Sequence, residues 1–201
     1  MEDTLETIAA EVRACRACAL YYGRKNAVPG VGSPNARVMF IGEGPGFHED
    51  QQGLPFVGAA GKFLDELLEM IGFARDEVFI ANVIKCRPPG NRDPRPEEIG
   101  ACRPFLDRQI ALIGPQIIVT LGRYSMERYF PGAKISQVHG QVRKIDGILY
   151  YPMYHPAAAL HQPSLRRDVE EDMAKIPDLL ARIDEFPDGK PQQDVKQLGL
   201  F

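Results

Sequence analysis

The sequence predicts a three-layer α/β/α sandwich around a mainly parallel central sheet. Short buried apolar runs (VMFI, VFIANVI, QIIVTLG) alternate with helical apolar patterns, and turn residues separate them. At 201 residues and 44% hydrophobic content, the chain suits one domain, since a chain of about 200 residues buries roughly 70% of its unfolded surface. That domain is expected over residues 1–184, with a flexible polar tail over 185–201.

Leu5, Ile8, Ala9 and Val12 recur at helical spacing within a predicted helix over 3–22, and Arg37 to Ile41 form a first buried strand ending at Gly42. Phe63, Leu64, Leu67, Leu68 and Ile71 predict a helix over 59–71 with Gly72 placed to end it. The strand VFIANVI follows. Pro96-Glu97-Glu98 opens a helix that carries Leu106, Ile110 and Ile113 and stops at Gly114-Pro115. After the strand QIIVTLG comes a short helix over 123–130. QVRKIDGILYYPMYHP predicts a hairpin around Asp146-Gly147, and a last helix covers about 165–183. Sites in open parallel sheets gather at the carboxyl ends of strands, which puts Glu43 to Gly46, Asn82 to Cys86 and Gly122-Arg123 on one edge.

A formal net charge of −3 argues against nucleic-acid binding by bulk charge, so any such surface is local. Basic residues do cluster: Lys85, Arg87, Arg92 and Arg95 within KCRPPGNRDPRP, Arg143 with Lys144, and Arg166 with Arg167. No apolar run approaches the roughly 20 residues that span a bilayer. The acidic start MEDTLETIAAEV is unlike a signal peptide, so a cytoplasmic protein is expected. The stretch GEGPGFHEDQQGLPFVG, residues 42–58, has three glycines in its first five residues. It lacks the Lys and Ser/Thr of a P-loop and carries Glu49 and Asp50 instead, which argues against a nucleoside triphosphate.

Cys15, Cys18, Cys86 and Cys102 are the only cysteines. Disulfides are not expected in a reducing compartment, which leaves metal or redox chemistry. A thioredoxin-like CxxC follows a strand, whereas Cys15 and Cys18 precede the first one. Four thiolates suit zinc or an iron–sulfur cluster. The 15 residues between Cys86 and Cys102 depart from zinc-ribbon spacing and favour a cluster pinning the N-terminal helix to the Cys86 loop. With all four thiolates in use, the role of such a cluster is structural: it fixes the arginine-rich loop between Cys86 and Cys102.

GEGPGFHEDQQGLPFVG, ANVIKCRPPGNRDPRPEEI, HPAAAL and the four cysteines, taken in this order, resemble the family 4 uracil-DNA glycosylases, the iron–sulfur type of bacteria and archaea. The resemblance spans residues 5–180. It implies a 4Fe-4S cluster on Cys15, Cys18, Cys86 and Cys102, and a monofunctional DNA N-glycosylase that everts uracil and hydrolyses its bond to deoxyribose. The substrate is then uracil-containing DNA, single- or double-stranded, and the working form a monomer. By position, the resemblance makes Phe56 the aromatic that stacks on uracil, Asn82 the side chain that reads its edge, His155 the donor near O2, and Gly42 and Gly44 part of the receiving loop. An Asn amide accepts from uracil N3–H while donating to O4, a pattern cytosine reverses.

Better-known family 1 enzymes carry an aspartate where Gly44 stands here, so the water-activating group falls to Glu43 or Glu49. Glu43 comes first because it lies in the strand-end turn; Glu49 is an alternative that could also wall off the C5 side of the base. The covalently DNA-linking relatives carry a reactive histidine in a basic insert, which NRDPRP lacks, so ordinary turnover is expected. HPAAALHQPSLRR supplies the loop entering the duplex, with Leu160 as wedge and Arg166 and Arg167 as phosphate contacts. The competing readings are a non-catalytic iron–sulfur DNA-damage-binding module and a zinc-stabilised nucleotide-binding protein. The end of the chain, QLGLF, resembles the pentapeptide by which bacterial proteins dock on the replication sliding clamp. Deleting Gln197 to Phe201 is expected to leave excision from oligonucleotides intact and abolish clamp binding; loss of folding on deletion would contradict a tethering role.

Overall fold

The computed structural model describes residues 3–189. Among these residues, seven strands form one sheet in the order β1-β3-β2-β4-β6-β5-β7. They are β1 (Val31–Gly32), β2 (Val38–Gly42), β3 (Phe79–Asn82), β4 (Ile117–Leu121), β5 (Arg143–Ile145), β6 (Ile148–Met153) and β7 (Asp188–Gly189). The central four, β3, β2, β4 and β6, run parallel, and β1 and β5 are antiparallel to their inner neighbours. Every residue of β2, β3 and β4 is buried, as a parallel sheet covered on both faces requires.

The helices are α1 (Leu5–Ala14), α2 (Phe47–Gln52), α3 (Ala59–Met70), α4 (Pro96–Ile113), α5 (Arg123–Glu127), α6 (Ile135–Val138), α7 (Pro156–His161), α8 (Arg166–Ala174) and α9 (Ile176–Ala181). Side chains alternate across each strand. Val38 and Phe40 therefore pack with Phe63, Leu67, Met173 and Leu180 from α3, α8 and α9 on one face. Met39 and Ile41 pack with Ile8, Val12 and Leu106 from α1 and α4 on the other. The three-layer α/β/α architecture follows from that division.

Several elements differ from the sequence-based expectation. The first helix ends at Ala14 rather than near residue 22, and Cys15 and Cys18 lie in the turn between α1 and a 3₁₀ turn at Ala19–Tyr22. Arg24 Nη2 donates to the Arg13 carbonyl at 2.7 Å, satisfying an orphan acceptor of the helix end, and Ala17 N–H reaches Cys15 Sγ at 3.5 Å. The expected last helix is divided between α8 and α9 because Pro177 has no N–H for the helical ladder. Helix α2 has no apolar periodicity; Asp50, buried within it, accepts from Lys25 N and Asn26 N at 2.9 and 3.3 Å. The fold also continues past residue 184, where Phe186 packs on the core and β7 pairs with β5. The clamp-like Gln197–Phe201 segment lies outside the described residues.

Other punctuation follows the sequence. Gly72 has φ 77°, and the bonds Phe73 N to Leu68 O and Gly72 N to Glu69 O, both 3.0 Å, form a Schellman end to α3. Asp146 and Gly147, with φ 49° and 80°, turn the β5–β6 hairpin as a primed turn requires.

Candidate active site

The parallel register aligns strand ends. Gly42 of β2 stands opposite Asn82 of β3, and Leu121 of β4 opposite Met153 of β6. The β2 end then joins the glycine-rich loop, and the β6 end leads through Tyr154 to His155, the N-cap of α7. Gly42, Phe56, Asn82 and His155 meet there. A Cβ on Gly42 would lie 2.5 Å from Asn82 Oδ1 and 2.7 Å from Phe56 Cζ. The Phe56 and His155 rings are nearly parallel, 23° apart in plane with centroids 5.5 Å apart. Gly122 packs its Cα against His155; a Cβ there would sit 3.3 Å from His155 Cβ.

Asn82 is 2% exposed, and its Oδ1 has no hydrogen-bond partner among the described residues. Thr120 Oγ1, within β4, is the other such atom. An unpaired buried acceptor disfavours folding by about 1–3 kcal/mol, so a polar atom held this way beside a ring and a glycine points to a missing donor.

Phe56 has φ 51°, a left-handed backbone that L-residues other than Asn, Asp and His rarely adopt. Glu49 holds it there: its Oε1 accepts from Val57 N at 2.8 Å and Gly58 N at 2.9 Å. Gly61 completes the support, since a Cβ at that position would lie 1.8 Å from the Phe56 carbonyl oxygen. The same Glu49 charge favours the protonated form of His155, but burial outweighs it and pushes the imidazole pKa down to about 4. His155 Nδ1 accepts from Ala157 N at 3.1 Å. The neutral ring therefore carries its proton on Nε2.

Glu43 makes no side-chain hydrogen bond among the described residues. Burial raises its carboxyl above the ordinary range, the Asp93 charge adds to the rise, and Arg123 opposes it. Gly44 leaves no room for a carboxylate of its own, because a Cβ there would be 2.6 Å from Ile84 Cγ1. The two candidate acids thus differ: Glu49 is bound to backbone, while Glu43 is not.

The four cysteines line one cavity together with Val12, Arg24, Lys85 and Phe105. Arg24 Nη1 donates to Cys86 Sγ at 3.1 Å and Lys85 N to Cys102 Sγ at 3.4 Å. Among the described residues no group of three or more His, Cys, Asp or Glu is gathered tightly enough for a single metal ion. Lys85 is not the surface charge its sequence neighbours suggest. It is 1% exposed, and Nζ donates to Gln109 Oε1 at 2.9 Å while burial pushes its pKa down to about 8. Arg92 is likewise committed, forking onto buried Glu98 at 2.9 and 2.6 Å.

Leu160 is 43% exposed at the end of α7. Arg166 pairs with Glu170 at 2.7 Å and lies 4.5 Å over the Phe63 ring, and Arg167 pairs with Glu171 at 2.6 Å. Sequence reasoning placed Arg123 on the right edge without a role and missed Asp93 and Tyr124 beside it. Only the position of Arg123 after the β4 strand end could have signalled them.

The profile of the Uracil DNA glycosylase superfamily matches residues 29–176. The chain is 51% identical to the type-4 uracil-DNA glycosylase of Sulfurisphaera tokodaii, over 88% of this chain and 85% of that protein. It is 49% identical to that of Saccharolobus solfataricus (89% and 88% covered) and 44% to that of Archaeoglobus fulgidus (90% and 95%). With its glycine-rich loop, Phe56, Asn82 and His155 converging on one sheet edge, the chain belongs to the uracil-DNA glycosylase superfamily, among its type-4 members.

Proposed function

We propose that this protein everts uracil from DNA and hydrolyses the bond between uracil N1 and deoxyribose C1′, leaving an abasic site. The observation that carries the reading is the buried, unpaired Asn82 Oδ1 against Gly42 and Phe56. Uracil N3–H supplies the absent donor while Asn82 Nδ2 donates to O4. Cytosine presents an acceptor and a donor in the reverse places, and a site built on such bonds rejects the wrong partner by about 10⁴-fold or more. Phe56 offers the ring face for stacking, and eversion costs a few kcal/mol. A non-catalytic binding module is not favoured, since the three relatives described above are named as glycosylases.

As the glycosidic bond breaks, negative charge grows on uracil and positive charge on the sugar. His155 Nε2–H is directed at O2, where one well-placed donor is worth about 10² to 10³ in rate. A neutral imidazole suits this task because it donates without transferring its proton. Glu43 orients the attacking water or steadies the cationic sugar, and Glu49 acts through the backbone of Val57 and Gly58 to keep the Phe56 ring in place. Leu160 fills the gap left in the stack, and Arg166 and Arg167 exchange their exposed glutamate partners, weak bonds in water, for phosphates.

Cys15, Cys18, Cys86 and Cys102 line one cavity and would hold a 4Fe-4S cluster, which takes four thiolates. Arg24 offsets thiolate charge. Bound there, the cluster would supply a structural cross-link between the turn after α1, the loop start at Cys86 and helix α4 at Cys102, and the reaction steps belong to the protein's own side chains. The protein works as a monomer, and Gln197–Phe201 carries the proposed clamp tether.

Incubation with a uracil-containing oligonucleotide followed by alkaline cleavage tests the reading. Asn82→Ala and Asn82→Asp should each lose at least about 10²-fold of the wild-type excision rate, and an unchanged yield would refute the assignment. The pH profile tests the acid. Ionised Glu43 is active, and its raised pKa means activity falls with pH through a value above the ordinary glutamate range. His155, neutral above about 4, adds no step near the usual histidine value of about 6.5. In Glu43→Gln the acid limb should vanish from a lowered but flat profile; a limb that survives would remove Glu43 from the role.

A further inference from the structure

A second set of charges stands beside Glu43 and the Gly122–His155 contact. Arg123 follows Gly122, the residue packed on His155. Its guanidinium pairs with Asp93, donates to the Tyr124 hydroxyl at 2.9 Å and lies 4.6 Å over the Tyr124 ring. Asp93 belongs to the loop between Cys86 and Cys102, which also reaches α2 through Arg87, 5.1 Å over the Phe47 ring. Both members of the pair are open to water, at 61% and 62% side-chain exposure. Both charges act on Glu43.

Other arginines nearby are held differently. Arg92 is locked to buried Glu98, Arg167 pairs one turn along its own helix, and Arg166 is shared between Glu170 of its own helix and Glu66 of α3. Arg123 takes its partner from a separate element 30 residues away. An exposed pair of this kind is worth little in water, and a guanidinium fork accepts a carboxylate or a phosphate with the same geometry.

On the glycosylase reading above, we propose that Arg123 binds a backbone phosphate of the DNA strand beside the everted nucleotide, with Asp93 occupying that phosphate's place until DNA displaces it. Tyr124 holds the guanidinium in one orientation through both states. Asp93 is then a built-in competitor that weakens binding to DNA in general. The 86–102 loop sets where that competitor stands.

The two partners should respond in opposite directions. Binding to duplex DNA with and without uracil is measured for the full-length protein over a series of salt concentrations, with melting curves to verify folding. Asp93→Asn should tighten binding to both duplexes, by up to about fivefold. Arg123→Ala should weaken it and reduce the salt slope by about 0.9, the share of one phosphate, and Arg123→Lys should restore the slope more than the affinity. If the pair is only a brace for the loop, both substitutions weaken binding, and that result overturns the proposal, as does an unchanged salt slope in Arg123→Ala. Absence of excision by the wild type would instead withdraw the glycosylase reading, with the binding series still deciding the role of Arg123.

Discussion

The carboxamide of Asn82 is the constraint on which the site depends. Parallel pairing sets it opposite Gly42 at the last rung of the β2–β3 ladder, where only a glycine lets the amide and the Phe56 ring approach the strand end together. An acceptor left buried without a donor disfavours the free protein by about 1–3 kcal/mol. On the proposed reading, that deficit is recovered when a base with a matching N–H enters. Recognition is therefore stored in the fold before substrate arrives, as electrostatic preorganisation requires.

Around this amide the work is divided among three elements. Glu49 of α2 ties down two backbone N–H groups and so maintains the left-handed Phe56. The N-cap geometry of α7 fixes the His155 tautomer. Glu43, free of such bonds, keeps a carboxylate in partly buried surroundings whose charge balance is set by Asp93 and Arg123. Two glutamates six residues apart in sequence thus differ through their partners rather than their type.

Much of this was legible in the sequence. Apolar runs ending in Gly42, Asn82 and Gly122 announced the sheet and its carboxyl edge, because buried parallel strands leave continuous apolar segments. Gly72 and Asp146-Gly147 announced their turns, because positive φ favours those residue types. Helix α2 stayed hidden, since FHEDQQ buries an aspartate through backbone bonds and shows no apolar stripe. Lys85 misled for a related reason: its charge is buried on Gln109, a partner 24 residues away that only the fold brings near. The Arg123–Asp93 pair and the end of α1 at Cys15 are likewise products of long-range contacts, not local pattern.

The cysteine-lined cavity and the candidate site are linked by one loop, which runs from Cys86 into α4, where Cys102 and the Arg92 partner Glu98 lie. Uracil excision has no redox step, so the proposed cluster would act by bracing this segment. The most direct test of the central claim is nitrogen NMR of the Asn82 side-chain amide, with DNA carrying a deoxyuridine fluorinated on the sugar to resist cleavage. The account predicts that this resonance shifts with uracil in the duplex and stays in place when cytosine occupies the same position. An Asn82 amide that responds equally to both bases, or to neither, would contradict it.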